Sequence, residues 1–274
     1  MLLAFIHTEK TGGTTLNQVL RRNFFLRFAD VRPLAPSSRG RFGEADLRVY
    51  RRLNPGLRAI SGHAVRPGIG LGNGACDIRY VTLLRDPARR YVSQFLYFVR
   101  IGLRPDDFDR FLDEREFMNV QTRKIAGDAG PDAAAGLLGP MLAVGALEEF
   151  DAFMLRLADA LKPRRFDPRY VVRNVGAADA DRAAELLDRH RARIDARNED
   201  DWALYCRAIA EIIPRQSRRY RGDLQADLAD FRQRNARFSL GLRDYADYAV
   251  RKLYYGPVSG IVRCSNGMPA AGSY

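Results

Sequence analysis

Residues 2–16 read LLAFIHTEKTGGTTL, and this stretch decides how the rest of the chain is read. The nearly continuous apolar run at 2–7 (LLAFIH) predicts a strand buried on both faces. The polar TEKTGGTT after it predicts a turn. The following LNQVLRRNFFLRF places apolar residues at helical spacing. The unit is strand, glycine turn, helix. It recurs at 79–84 (RYVTLL), a second buried strand that runs through Arg85-Asp86-Pro87 into ARRYVSQFLYFVRIG. Asp86 suits a helix N-cap and Pro87 the first helical position.

Working outward, residues 57–62 (LRAISG) read as a short strand ending at His63. Residues 141–145 (MLAVG) read as a third core strand, followed by the helix LEEFDAFMLRLADAL, and 170–175 (YVVRNV) as a short edge strand. Residues 30–56 predict a loop with a short helix at 43–53, and the glycine-rich 64–77 a mobile loop. Residues 106–127 look helical with a break near Met118-Asn119, and 179–237 helical with a break at Pro214. Alternating strands and helices with few hairpin signals predict an α/β protein with a parallel central sheet flanked by helices, and extra helices in the C-terminal half. Residues 1–250 are expected to form a single domain, and 251–274 an irregular C-terminal tail.

The chain has 274 residues, 46% hydrophobic and 28% charged, the composition of a folded protein rather than a disordered one. Its formal charge of +12 points to an anionic partner: nucleic acid, an acidic membrane, a phosphorylated cofactor, or a sulfated or acidic glycan. Of 45 basic residues four are lysine (Lys10, Lys124, Lys162, Lys252), which leaves 41 arginines. Arginine suits planar recognition of phosphate or sulfate, although a GC-rich coding bias accounts for most of these positions. Three cysteines without metal-ligand spacing predict neither a disulfide framework nor a zinc site. No apolar run reaches about 18 residues and the start lacks a signal-peptide layout. The expectation is a bacterial-type cytoplasmic protein, at most peripheral to the inner face of the membrane.

Two segments carry chemistry. Glycines at a strand-to-helix turn let the backbone approach an anion, which the first free amides of the helix then bind. Thr11, Gly12, Gly13, Thr14 and Thr15 offer such a nest, with Lys10 at its mouth. The alternative is an ordinary glycine turn with a surface lysine. The Walker A pattern is absent, because here the lysine precedes the glycines. In the second segment Arg85 ends a predicted parallel strand, where open α/β sheets bind ligands. Ser93 can face the same point from the following helix, which would make a compact phosphate clamp.

Together these segments resemble the PAPS-dependent sulfotransferases, most closely the heparan sulfate 2-O-/6-O-sulfotransferase-like branch and its bacterial relatives. That family opens with a pattern like F-I-H-x-x-K-T-G-G-T-[ST]-L, here Phe5 to Leu16. Its second motif is like [FV]-x-x-[LF]-R-D-P-x-x-R-x-x-S, here Val81 to Ser93. Weaker likenesses are Asn119 to Arg123 (N-x-Q-T-R), Val144 to Glu148 (V-G-x-x-E) and Asn198 to Tyr205 (N-x-x-D-x-x-L-Y), so the resemblance spans roughly residues 1–210. It implies a P-loop-like fold and a single sulfotransferase domain. The nest from Lys10 to Thr15 would hold the 5′-phosphosulfate of PAPS, and Arg85 and Ser93 its 3′-phosphate. Arg123 would lie near the nucleotide, with a purely structural helix as the alternative. Glu9 stands where relatives often carry proline and is expected to face solvent or to pair with an arginine.

Sulfuryl transfer to an alcohol needs a base for the acceptor hydroxyl and positive charge on the leaving phosphate oxygen. Of three histidines, His7 reads as a core residue and His190 as surface. His63, in the context Ser61-Gly62-His63, is similar to the glycine-histidine segment carrying the base in the glycan-sulfating branch. The alternative is a structural strand-end histidine, with Glu44 or Asp46 as fallback base. Lys10 would stabilise the leaving phosphate. PAPS is then the donor and PAP the product, with no metal, and the acceptor is a hydroxyl on a glycan or glycolipid. Nucleic acid is not the expected partner. The rival readings are a P-loop-type nucleotide kinase and a non-catalytic basic nucleic-acid-binding protein.

Overall fold

The computed structural model describes residues 1–34, 40–69, 77–161, 165–171, 179–241, 244, 249 and 251–267. The described residues form an α/β structure around a five-stranded sheet. Its strands are β1 (Leu2–Ile6), β2 (Phe28–Asp30), β3 (Ala59–Gly62), β4 (Ile78–Leu84) and β5 (Ala143–Ala146). All pairings are parallel and the order is β2-β3-β1-β4-β5. The strand reading of the opening stretch holds for a physical reason. Leu2, Ala4 and Ile6 enter one apolar cluster, and Leu3 and Phe5 the cluster on the opposite face. Side chains alternate across a strand, so an uninterrupted apolar run fills both cores.

Helices cover both faces. One side carries α1 (Gly13–Phe24), α7 (Phe150–Ala160) and α11 (Leu224–Ala236). The other carries α2 (Glu44–Leu53), α6 (Gly130–Leu138) and α9 (Glu199–Arg207). A third apolar cluster joins α3 (Pro87–Arg100) to α4 (Phe108–Leu112) and α8 (Ala180–Arg197). Asp86 caps α3 as its sequence predicts, accepting a hydrogen bond from the Arg89 amide at 2.9 Å. No helix among the described residues is long and apolar enough to cross a membrane.

Four local expectations need correcting. The first helix stops at Phe24, because Phe25 takes a left-handed φ of 48°. The chain then makes a 3₁₀ turn and enters β2, which pairs Phe28 with Ala59. Apolar spacing continues through this segment, so only the non-local pairing reveals the strand. Pro214 does not break the C-terminal helical region. It sits in α10 (Ile213–Ser217), which continues without interruption from a π turn at Ala208–Ile212, a local widening of the helix just before the proline. The interruptions fall instead at Asn198 and at residues 218–223. The tail is not irregular throughout. A π turn at Arg251–Tyr255 leads into α12 (Gly256–Ser265), and Arg263 and Asn266 donate to the carbonyls of Pro33 and Leu34. Finally, Tyr170 and Val171 lie outside any strand. The remainder of the 170–175 reading, residues 70–76 of the 64–77 loop and residues 268–274 fall outside the described residues.

Segments far apart in sequence brace the end of β4. The Gln121 side chain clamps the Arg85 backbone, accepting from its amide at 2.8 Å and donating to its carbonyl at 2.9 Å. Gln121 lies on α5 (Val120–Ala126), whose first amides donate to buried Asp201, Thr122 N at 2.7 Å and Gln121 N at 3.1 Å. Asp201 also faces fully buried Arg90 at 3.9 Å. Glu148 accepts from the Asp86 amide at 3.1 Å and from the Tyr205 hydroxyl at 3.0 Å. The Asn119, Glu148 and Asn198 segments are therefore struts that fix Arg85. Removing one partner of a buried charged pair leaves the other uncompensated. Asp201→Ala should therefore lower the unfolding free energy by about 3–5 kcal/mol, read from urea denaturation.

Candidate functional site

In a parallel sheet all carboxyl ends emerge at one edge. Here His7 directly follows β1, His63 follows β3 and Arg85 follows β4. β1 lies between β3 and β4, which both follow it in sequence, so a crevice opens at the end of β1 where ligands bind in such sheets.

The loop from Thr8 to Gly12 fills this crevice. Lys10 and Gly12 both take left-handed backbone angles, φ 65° and 85°. Thr11 is buried and donates its hydroxyl to the Thr8 carbonyl at 3.0 Å. α1 begins without a side-chain cap and with no acidic residue in its first turn. Its leading amides, those of Gly13 and Thr14 among them, lie at the positive end of the helix dipole. Gly13 is fixed by proximity, since a Cβ there would lie 1.9 Å from the His7 Nε2 atom. His7 is half-buried, stacked on Phe5 with centroids 5.2 Å apart, and its Nδ1 lies 3.4 Å from the Asn17 amide. Burial, then the neighbouring His63, push its pKa down to about 3, so it is a neutral core group, as its sequence predicts.

On one side of the loop, the Lys10 ammonium lies over the Tyr97 ring, 4.4 Å from its centroid. Burial, then Arg100 and Arg85, lower its pKa to about 8, against the pull of Asp179. The Arg85 guanidinium donates to the Lys10 carbonyl at 3.0 Å. Ser93 is half-buried on α3, one helical turn before Tyr97. Thr14 is exposed and Thr15 half-buried in the first turn of α1. The structure thus brings Lys10, the glycine nest, Arg85 and the Ser93 helix to one place.

On the other side stand His63 and two residues whose roles the sequence reading missed. The His63 Nδ1 lies 3.0 Å from Glu9 Oε1 and 3.1 Å from the His7 carbonyl, with the two imidazole rings 4.1 Å apart. The buried Lys124 Nζ lies 3.1 and 3.4 Å from the two Glu9 oxygens. Glu9 therefore points inward, and its partners are a histidine and a lysine rather than solvent or an arginine. Burial by itself would raise the Glu9 pKa. The His63 hydrogen bond and Lys124 outweigh it and hold the carboxyl well below the usual carboxylate range. Burial pushes Lys124 down to about 8, opposed by Glu9. No local pattern marks the pair, whose members stand 115 positions apart. The one available signal is rarity, a lysine in a chain that nearly always uses arginine.

The fallback bases are placed elsewhere. Buried Asp46 accepts from the Leu34 and Gly43 amides at 2.8 and 2.9 Å, which caps α2, and Glu44 faces Arg48 at 4.0 Å. His190 is not a surface residue, since it packs on the Phe108 ring at 5.0 Å. Arg123 hydrogen-bonds the carbonyls of the 115–118 turn. With Glu9, Arg41, Arg66, Gln94 and Lys124 it lines a cavity of about 400 Å³. A larger cavity, about 750 Å³, lies at the opposite sheet edge beside Arg27 and Arg58, and no residue named above as a site candidate lines it.

Compared with known proteins, the chain matches no family model and no curated protein.

The contact between Gly13 and His7 leaves no room for a methyl group. Gly13→Ala should destabilise the protein by about 1–3 kcal/mol. It should also displace the His7 ring, seen as changed imidazole NMR shifts of His7 and of the His63 ring beside it.

Proposed function

We propose that this chain is a PAPS-dependent sulfotransferase that moves a sulfuryl group to a hydroxyl of a glycan or glycolipid acceptor. The observation that carries the reading is the convergence of Lys10, the glycine nest, Arg85 and His63 at one sheet edge. These residues come from three separate stretches of sequence, and their meeting at one edge supports the reading. The P-loop-like reading of the fold rests on the same loop.

The residues fit a doubly anionic donor. The uncapped amides at the start of α1 and the Lys10 ammonium suit a phosphosulfate. Arg85, with Ser93 on the adjoining helix, suits a second phosphate. PAPS supplies the sulfuryl group when bound. Lys10 neutralises charge on the phosphate oxygen that leaves, and His63 takes the proton of the acceptor hydroxyl. Arg123, at the rim of the neighbouring cavity, faces the acceptor side in this reading. Along the C-terminal helices Arg221, Arg232 and Arg234 face Asp159, Asp151 and Asp230, which favours an ion-paired solvated face over a nucleic-acid surface at these three positions. A cytoplasmic location belongs to the same proposal.

Two outcomes test it. Lys10→Ala and His63→Ala should each abolish transfer from radiolabelled PAPS, while His63→Ala still binds PAP in preference to ADP. Normal turnover in the His63 variant would remove it from the mechanism. Secondly, Lys10 is partly deprotonated above its pKa of about 8, and a bound anion restores the charged form. PAP binding at pH 8–9 should therefore take up a proton, and affinity should fall as the pH rises through 8. Calorimetry in buffers of different ionisation enthalpy reads the uptake, which Lys10→Met should remove.

A further inference from the structure

The His63 side chain is more than half exposed, yet its Nδ1 is constrained from two sides. Both atoms within hydrogen-bond distance of it can only accept. One is Glu9 Oε1 at 3.0 Å and the other is the His7 carbonyl oxygen at 3.1 Å. An ionised carboxylate and a backbone carbonyl carry no proton to give, so Nδ1 must carry it. In the neutral ring the lone pair then sits on Nε2. Glu9 is braced in turn, since Lys124 reaches both of its oxygens from α5. Two further groups lie beside His63. His7 lies against it as a neutral imidazole, and the Arg66 guanidinium donates to the His63 carbonyl at 2.7 Å.

We propose that Glu9, held by Lys124, is a positioning residue that fixes the tautomer and orientation of His63 and so makes Nε2 the base. This rests on the reading of His63 as base given above. The arrangement follows the logic of a base oriented by a third group. As the acceptor oxygen forms its bond to sulfur, its proton passes to Nε2. The bond from sulfur to the bridging phosphate oxygen breaks, and its electron pair leaves on that oxygen beside Lys10. The imidazolium that results keeps its Nδ1–H on ionised Glu9, and no proton moves to the carboxylate. After release of PAP and the sulfate ester the ring returns its proton to water. Lys124 fulfils a second requirement. A carboxylate next to the donor loop would repel a phosphosulfate, and the ammonium neutralises it there.

The test reads the tautomer directly. Only three histidines are present, so long-range 1H–15N correlation spectra of the labelled protein resolve each ring, and loss of signals in His63→Ala assigns that residue. The neutral His63 ring of the wild-type protein should carry its proton on Nδ1. A proton on Nε2 overturns the proposal without any variant being made. In Glu9→Gln the His7 carbonyl still accepts from Nδ1, but the charged acceptor is replaced by an amide that can also donate, so the Nε2–H tautomer should gain population beside the Nδ1–H form. Its kcat should fall on the order of 10²-fold or more, with KM for PAPS changed less than about twofold. Glu9→Asp, which keeps the charge, should recover part of both the rate and the tautomer. Unchanged kcat and an unchanged tautomer in Glu9→Gln refute the positioning role while leaving transfer by the wild type intact. Failure of the sulfotransferase reading looks different: the wild type would neither bind PAP nor transfer sulfate, and the positioning role would fall with it.

Discussion

A parallel sheet delivers every carboxyl end of its strands to one edge, and this constraint organises the whole molecule. β1 is laid down first and takes the centre. Later strands pair on either side of it, so the loops after β1, β3 and β4 meet over its end. That geometry brings His7, His63 and Arg85 together although they lie up to 78 positions apart. The edge is a poor place for charge unless it is compensated, and charged groups stand on both sides of the loop after β1. Lys10 faces an aromatic ring, with Arg85 donating to its carbonyl. Glu9, the next residue back, turns to the other side and is neutralised by Lys124.

The loop holds this divided arrangement because its backbone is tightly specified. Two left-handed residues turn it, a buried threonine ties it to itself, and the His7 ring packs against Gly13 more closely than any side chain there would permit. Arg85 depends on more distant support. Gln121 holds its backbone, Asp201 holds Gln121's helix, and Glu148 holds the amide that follows. The bonds of Gln121 and Asp201 lie among buried or half-buried groups, where an unmet partner is most unfavourable. The segments that resemble family motifs weakly are thus parts of one scaffold behind a residue in a strong motif.

The sequence by itself determined the α/β class, the buried strands, the cap on α3 and the loop residues from Lys10 to Thr15. Each of these depends on neighbours in the chain: an apolar run, an N-cap followed by proline, glycines at a junction. His63 was also legible, because it ends a strand. Tertiary structure alone decided the rest. β2 is a strand because Phe28 meets Ala59, and its own spacing reads as helix. The C-terminal segment is helical and held by the carbonyls of Pro33 and Leu34, which no tail sequence announces. Glu9 turned inward because Lys124 arrives from a helix 115 positions away. Periodicity and capping are local effects, set within a few residues by backbone geometry. The ionisation and direction of a buried side chain depend on which charges the fold places beside it, and spacing along the chain carries no trace of that.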